Sequence, residues 1–137
     1  MNAMTPIELD RIIDEHYRAE SEMDINAILA TYTDDIVFDV AGVPDTLHGK
    51  QAAAGFYRQL FADLVTEKVT PLRRLHGPTF VIDDAIFECR AVGKPFGLDG
   101  KNRPVKFRLM HIFDVRDGRI CRETAWLDMG AIQRQLA

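Results

Sequence analysis

The chain has 137 residues, 47% of them apolar and 28% charged. That is enough for one globular domain, 1–137, and too few for two ordinary ones. Seventeen basic against twenty-one acidic residues leave a net charge of −4, the wrong sign for a nucleic-acid surface, and no run approaches the ~20 apolar residues of a membrane span.

Thr5-Pro6-Ile7-Glu8 is a capping box with proline at the first helical position. Leu9, Ile12, Ile13, His16, Tyr17 and Glu20 follow at helical spacing, predicting a helix to about Glu22. Asp24 can cap a shorter helix through Ile28 and Leu29 to Tyr32, which Asp34-Asp35 breaks. Ile36 to Val40 reads as a strand, Gly42 to Gly49 as a loop, and Gln51 to Leu64 as a third helix with Phe56, Tyr57, Leu60 and Phe61 on one side. Strands are expected near 68–75, 79–82, 85–94, 104–116 and 119–127. Asp83-Asp84 and Asp117-Gly118 read as tight turns, Gly97 to Gly100 as a wider loop, and Met129 to Leu136 as a last helix capped by Asp128. Helices first and antiparallel strands after them indicate an α+β fold, with helices laid against one face of a curved sheet.

The stretch Phe107 to Val115 is the most informative. Every second residue is Phe, Leu, His, Phe, Val, which is period two, the pattern of a strand with one buried face. Phe107, Leu109, His111 and Phe113 therefore share a wall, and a histidine in an apolar stripe needs either a private partner or a cavity to face. The opposite face carries Met110 and Ile112, and Trp126 joins them from the last strand. Such a surface is too apolar to leave wet on a small domain and predicts a homodimer.

Cys89 and Cys121 stand far apart, with no CxxC and no Cys/His metal spacing, which predicts reduced thiols and no metal. With the acidic, run-free first thirty residues this reads as a cytoplasmic protein without a signal peptide. No Gly-rich phosphate loop, Ser-His-Asp set or Cys-His nucleophile signature occurs, so any catalysis is expected to be acid/base chemistry without a cofactor.

The element order, together with His111, the Asp117-Gly118 turn, Trp126, Asp128 and the closing Arg134-Gln135-Leu136, resembles the SnoaL-like polyketide cyclase branch of the nuclear transport factor 2-like fold. Tyr32-Thr33-Asp34-Asp35 and the Gly49 to Tyr57 segment are also similar to that family's pattern. The resemblance implies a cone: a bent antiparallel sheet wrapped around a pocket that the N-terminal helices close, suited to a small, mostly apolar molecule. Polyketide cyclases, ketosteroid isomerases, limonene epoxide hydrolases and proteins without known chemistry share this fold, so fold alone does not give an activity.

By the same resemblance His111 matches a pocket histidine, and either it is catalytic or it is tied to a neighbouring carboxylate or carbonyl. Asp39 lies one position from the isomerase general base. It is a second acid/base candidate if it points inward, and alternation with Phe38 favours outward. His16, Tyr17, Tyr32 and Tyr57 match pocket positions to within a residue and join Phe107, Leu109, Phe113 and Ala125 as candidate ligand contacts. Ala125 stands where the cyclases carry an aspartate, which argues against ring closure and epoxide opening. Glu88, Arg90 and Glu123 read as cross-strand ion pairs on the outer face, and Asp128 as a helix cap. The reading that competes with an isomerase-like or cyclase-like enzyme is a non-catalytic ligand-binding or protein-interaction module.

Overall fold

The computed structural model describes residues 3–137. Helices α1 (Pro6–Ser21) and α2 (Ile25–Ala30) lead into strand β1 (Tyr32–Val40), the short β2 (Leu47–His48) and helix α3 (Lys50–Asp63). Strands β3 (Leu64–His76), β4 (Phe80–Ala91), β5 (Arg103–Arg116) and β6 (Arg119–Leu127) follow, then helix α4 (Met129–Gln135). One curved, unclosed sheet takes the order β2-β1-β6-β5-β4-β3. All neighbours are antiparallel except β1 and β6, which run parallel. Among the described residues no helix is long and apolar enough to cross a membrane.

Local chemistry sets the boundaries. The Thr5 hydroxyl accepts from the Glu8 N–H at 3.2 Å while the Glu8 carboxylate accepts from the Thr5 N–H at 3.0 Å, the predicted capping box. Leu9, Ile13 and His16 form the buried stripe of α1. Each of the two aliphatic chains stabilises by roughly 1.5–3 kcal/mol. Asp117 and Gly118 both hold positive φ, 53° and 78°, the geometry a two-residue hairpin requires. Asp128 caps α4 through the Ala131 N–H at 3.0 Å. At Gly100, a Cβ would lie 2.2 Å from the Ala91 carbonyl oxygen, so only glycine lets the loop cross β4 there.

Three expectations are corrected. Tyr32 opens β1 rather than ending α2. β3 begins at Leu64, four residues before the predicted start. The largest correction is at Asp83-Asp84, which is no turn: β4 runs unbroken through both, and the reversal falls at Gly77–Thr79, closed by the Gly77 N–H to the Phe80 carbonyl at 2.8 Å. Two adjacent aspartates survive in mid-strand because the pleat sends them to opposite faces, each to an arginine. Asp83 meets Arg74 at 2.7 Å, and Asp84 takes a two-pronged contact from Arg108 at 2.9 and 2.6 Å.

Candidate functional site

The concave face of the sheet, α1 and α3 enclose a cavity of about 480 Å³. Phe38 and Val40 of β1, Phe56 and Phe61 of α3, and Phe87 and Phe107 of the sheet give it apolar walls. Exposed Arg18 and Ser21 stand at its mouth.

A chain of polar groups crosses the α1 side of this cavity. The Tyr17 hydroxyl is 3.1 Å from His111 Nδ1. His111 Nε2 is 3.7 Å from Glu123 Oε2. Glu123 is 1% exposed, and its Oε1 accepts from the Tyr32 hydroxyl at 2.7 Å. Tyr32 has thereby spent its proton, so the Tyr57 hydroxyl, 3.0 Å away, donates to it. Beyond Glu123 lies His16, fully buried. Its Nδ1 is 2.9 Å from Thr31 Oγ1, whose own proton goes to the Ile28 carbonyl at 2.6 Å. Nδ1 must therefore donate. Nε2 faces two carboxylates, Glu20 at 3.1 Å and Glu123 at 3.2 Å, and must carry a proton too. That N–H lies between its acceptors and is well aligned with neither.

His16 is an imidazolium by this accounting. Burial opposes its charge, but Glu123 and then Glu20 outweigh burial and raise it to about 10. For Glu123, burial would push the carboxyl up; the His16 charge and hydrogen bond, His111 and the Tyr32 hydroxyl together hold it below the ordinary carboxylate range. Burial, followed by the Asp83, Glu20 and Glu123 charges, drives the Tyr17 phenol well above its usual value.

The candidates from sequence divide accordingly. Tyr17, Tyr57, Phe107, Leu109, His111 and Ala125 line the cavity. Ala125 pairs directly with His111 across β5 and β6. His16 and Tyr32 do not line it and act from behind, through Glu123. Phe113 does not reach it either; its ring stacks under His111, with centroids 5.1 Å apart. Asp39 is placed on the convex face, where Arg122 holds it at 2.7 Å. Glu123 is the group that sequence reasoning set on the outer face and the structure buries at the centre. The signal was available: Glu123 and Ala125 are two apart on one strand and must share a side. Arg90 does form the predicted outer-face pair, with Glu67 at 3.3 Å. Among the described residues no group of three or more His, Cys, Asp or Glu is arranged to hold a metal ion.

The sequence pattern of the SnoaL-like domain family matches residues 13–123, most of the chain. The chain belongs to this family. No curated protein matches the SnoaL-like chain in sequence. Its solved structural relatives include TsrD from Streptomyces laurentii, 16% identical over 98% of each chain with a TM-score of 0.84. An LEH-like epoxide hydrolase of M. tuberculosis is 22% identical over 95% of this chain and 90% of that one, with a TM-score of 0.74. An NTF2-like protein from Burkholderia xenovorans LB400 is 18% identical over 98% and 99%, with a TM-score of 0.77. At these identities the likeness is one of fold, and the SnoaL-like chain has the nuclear transport factor 2-like cone.

Proposed function

We propose that the cavity binds a small, mostly apolar molecule and that the protein moves a proton to and from carbon on it, without a cofactor, through Tyr17, His111 and Glu123. The observation that carries this reading is the continuous line from the Tyr17 hydroxyl to His111 Nδ1 (3.1 Å) and from His111 Nε2 to Glu123 Oε2 (3.7 Å), set in an apolar wall. A bare ring nitrogen facing a carboxylate would be repelled, so Nε2 carries the proton and Nδ1 accepts from Tyr17. A substrate carbon acid seated against Tyr17 gives its proton to Oη as the phenolic proton passes to Nδ1. The C–H electron pair stays on the substrate as an enolate or its equivalent, and the new imidazolium faces Glu123. Return of the proton at another carbon isomerises the molecule. The high proton affinity of Tyr17 makes it a relay and not a free phenolate. Ala125 brings no carboxylate to its place beside His111, so reactions needing an acid there lie outside the proposal.

The test is exchange of the α-hydrogens of 2-tetralone in deuterated water, followed by proton NMR. The natural protein accelerates exchange over buffer, and His111→Gln and Tyr17→Phe each lose about 10²–10⁴ of that rate. Exchange no faster than buffer, with the ketone demonstrably bound, would leave a ligand-binding pocket without this chemistry.

A second copy of the chain is the partner we propose for the convex face. There Trp126, 54% exposed, pairs with Met110, and Ile112 and Ile82 form the adjacent row of the same face. Asp84 sits among them, already neutralised by Arg108 and Arg73, so burying this surface strands no uncompensated aspartate.

A further inference from the structure

We propose that the molecule this cavity selects carries a positive charge: an apolar body with an ammonium group set against Glu123 and Glu20. The inference rests on the cavity being a ligand site and goes further by naming the ligand's charge.

The polar groups around the cavity hold more carboxylate than they neutralise. The single charge of His16 is shared between Glu20 and Glu123. Arg18 at the mouth is engaged by Glu15 and Glu22. Arg74 is surrounded by Asp10 at 3.0 Å, Asp14 at 2.9 Å and Asp83 at 2.7 Å. Every cation of the lining is thus outnumbered by acids, and none is left to receive an anionic ligand.

An independent observation concerns one oxygen. Glu123 is almost completely buried and lines the cavity. Its Oε1 accepts from Tyr32 and faces His16, and His111 Nε2 approaches its Oε2 at 3.7 Å; beside it in the lining, Glu20 Oε2 is buried with no aligned hydrogen-bond donor. A buried carboxylate oxygen without a donor is costly, and a ligand that brings a charged donor or a close positive charge removes that cost. The walls suit the same ligand. The aromatic residues Tyr17, Phe56, Phe61 and Phe87 line the space, and cations are attracted to aromatic rings more strongly where water is excluded. A carboxylate-bearing molecule is instead repelled by the surplus carboxylates of the lining.

The experiment compares benzyltrimethylammonium with neopentylbenzene, which has the same shape without the charge, by ligand-observed NMR titration. The natural protein is expected to bind the ammonium compound at least tenfold more tightly. Glu123→Gln and Glu20→Gln should each bring the ratio to within threefold, with circular dichroism reporting the fold. Glu20 is partly exposed, so its variant keeps the test standing if Glu123→Gln does not fold. Equal or tighter binding of neopentylbenzene by the natural protein overturns this inference and leaves the apolar ligand site intact. A tenfold preference that persists in folded variants also overturns it. Binding of neither compound overturns both this inference and the ligand-site reading on which it rests.

Discussion

His16 bears on stability as much as on the site. Its folded value is raised from 6.5 to about 10. Below about 6.5 both folded and unfolded chains hold the proton and its stabilisation is complete; between there and about 10 only the folded chain holds it, so stability falls as pH rises. The slope from one such group is up to ~1.4 kcal/mol per pH unit. Urea denaturation at pH 6.5 and again at pH 8.5 should show the natural protein losing stability across that interval, and His16→Gln should flatten the loss. An equal slope in the variant would show that His16 is neutral when folded. The sequence placed His16 on the right helix face but could not reveal its charge, because Glu20 is only one of its partners and the others lie 15 residues away at Thr31 and across the fold at Glu123. Glu123 was misplaced for a related reason. A glutamate among Arg119, Arg122 and Thr124 looks solvated until a buried imidazolium and a phenol are seen to face it.

At the scale of elements, α1 is held to the sheet by more than its apolar stripe. Arg74 of β3 reaches Asp10 and Asp14 on α1 and Asp83 on β4, and His76 adds a 2.7 Å contact to Asp10. This clasp fixes the helix that carries Tyr17 and His16. Arg74→Met leaves Asp83, 7% exposed, without its cation and should destabilise by roughly 1–3 kcal/mol. Adding Asp83→Asn should recover part of that loss, since the pair is coupled; thermal denaturation of the single and double variants measures the difference. No recovery would mean that Arg74 acts through α1 alone. Period two and turn chemistry made β5, β6 and their hairpin readable in advance. β4 was split in two because adjacent aspartates usually mark a turn, and their arginine partners on two other strands lie outside any local window.

The whole molecule presents two apolar surfaces, one lining the cavity and one facing out. The outer one, around Met110, Ile112 and Trp126, is the proposed seat of a second copy. Light scattering at micromolar concentration should give twice the 15.5 kDa chain mass, and Trp126→Lys should return the monomer. A natural protein that scatters as a monomer would remove the dimer. Element order alone made the α+β class legible, since it is set by pattern and not by contact, and the resemblance to the SnoaL-like family implied the cone. The cavity's polar chain was legible only in part, because its members come from α1, β1, α3, β5 and β6.

The one parallel pairing in the sheet, β1 with β6, fixes when the site can exist during synthesis. Residues 32–40 leave the ribosome 85 to 88 positions ahead of the residues they pair with. Until that strand emerges, Tyr32 and His16 have no Glu123 to meet, and polar groups destined for full burial stay hydrated. Closing so distant a contact is entropically slow. The nascent chain can therefore build α1 and the β3–β4 hairpin early, while the polar chain through Glu123 is completed only as the last long strand docks.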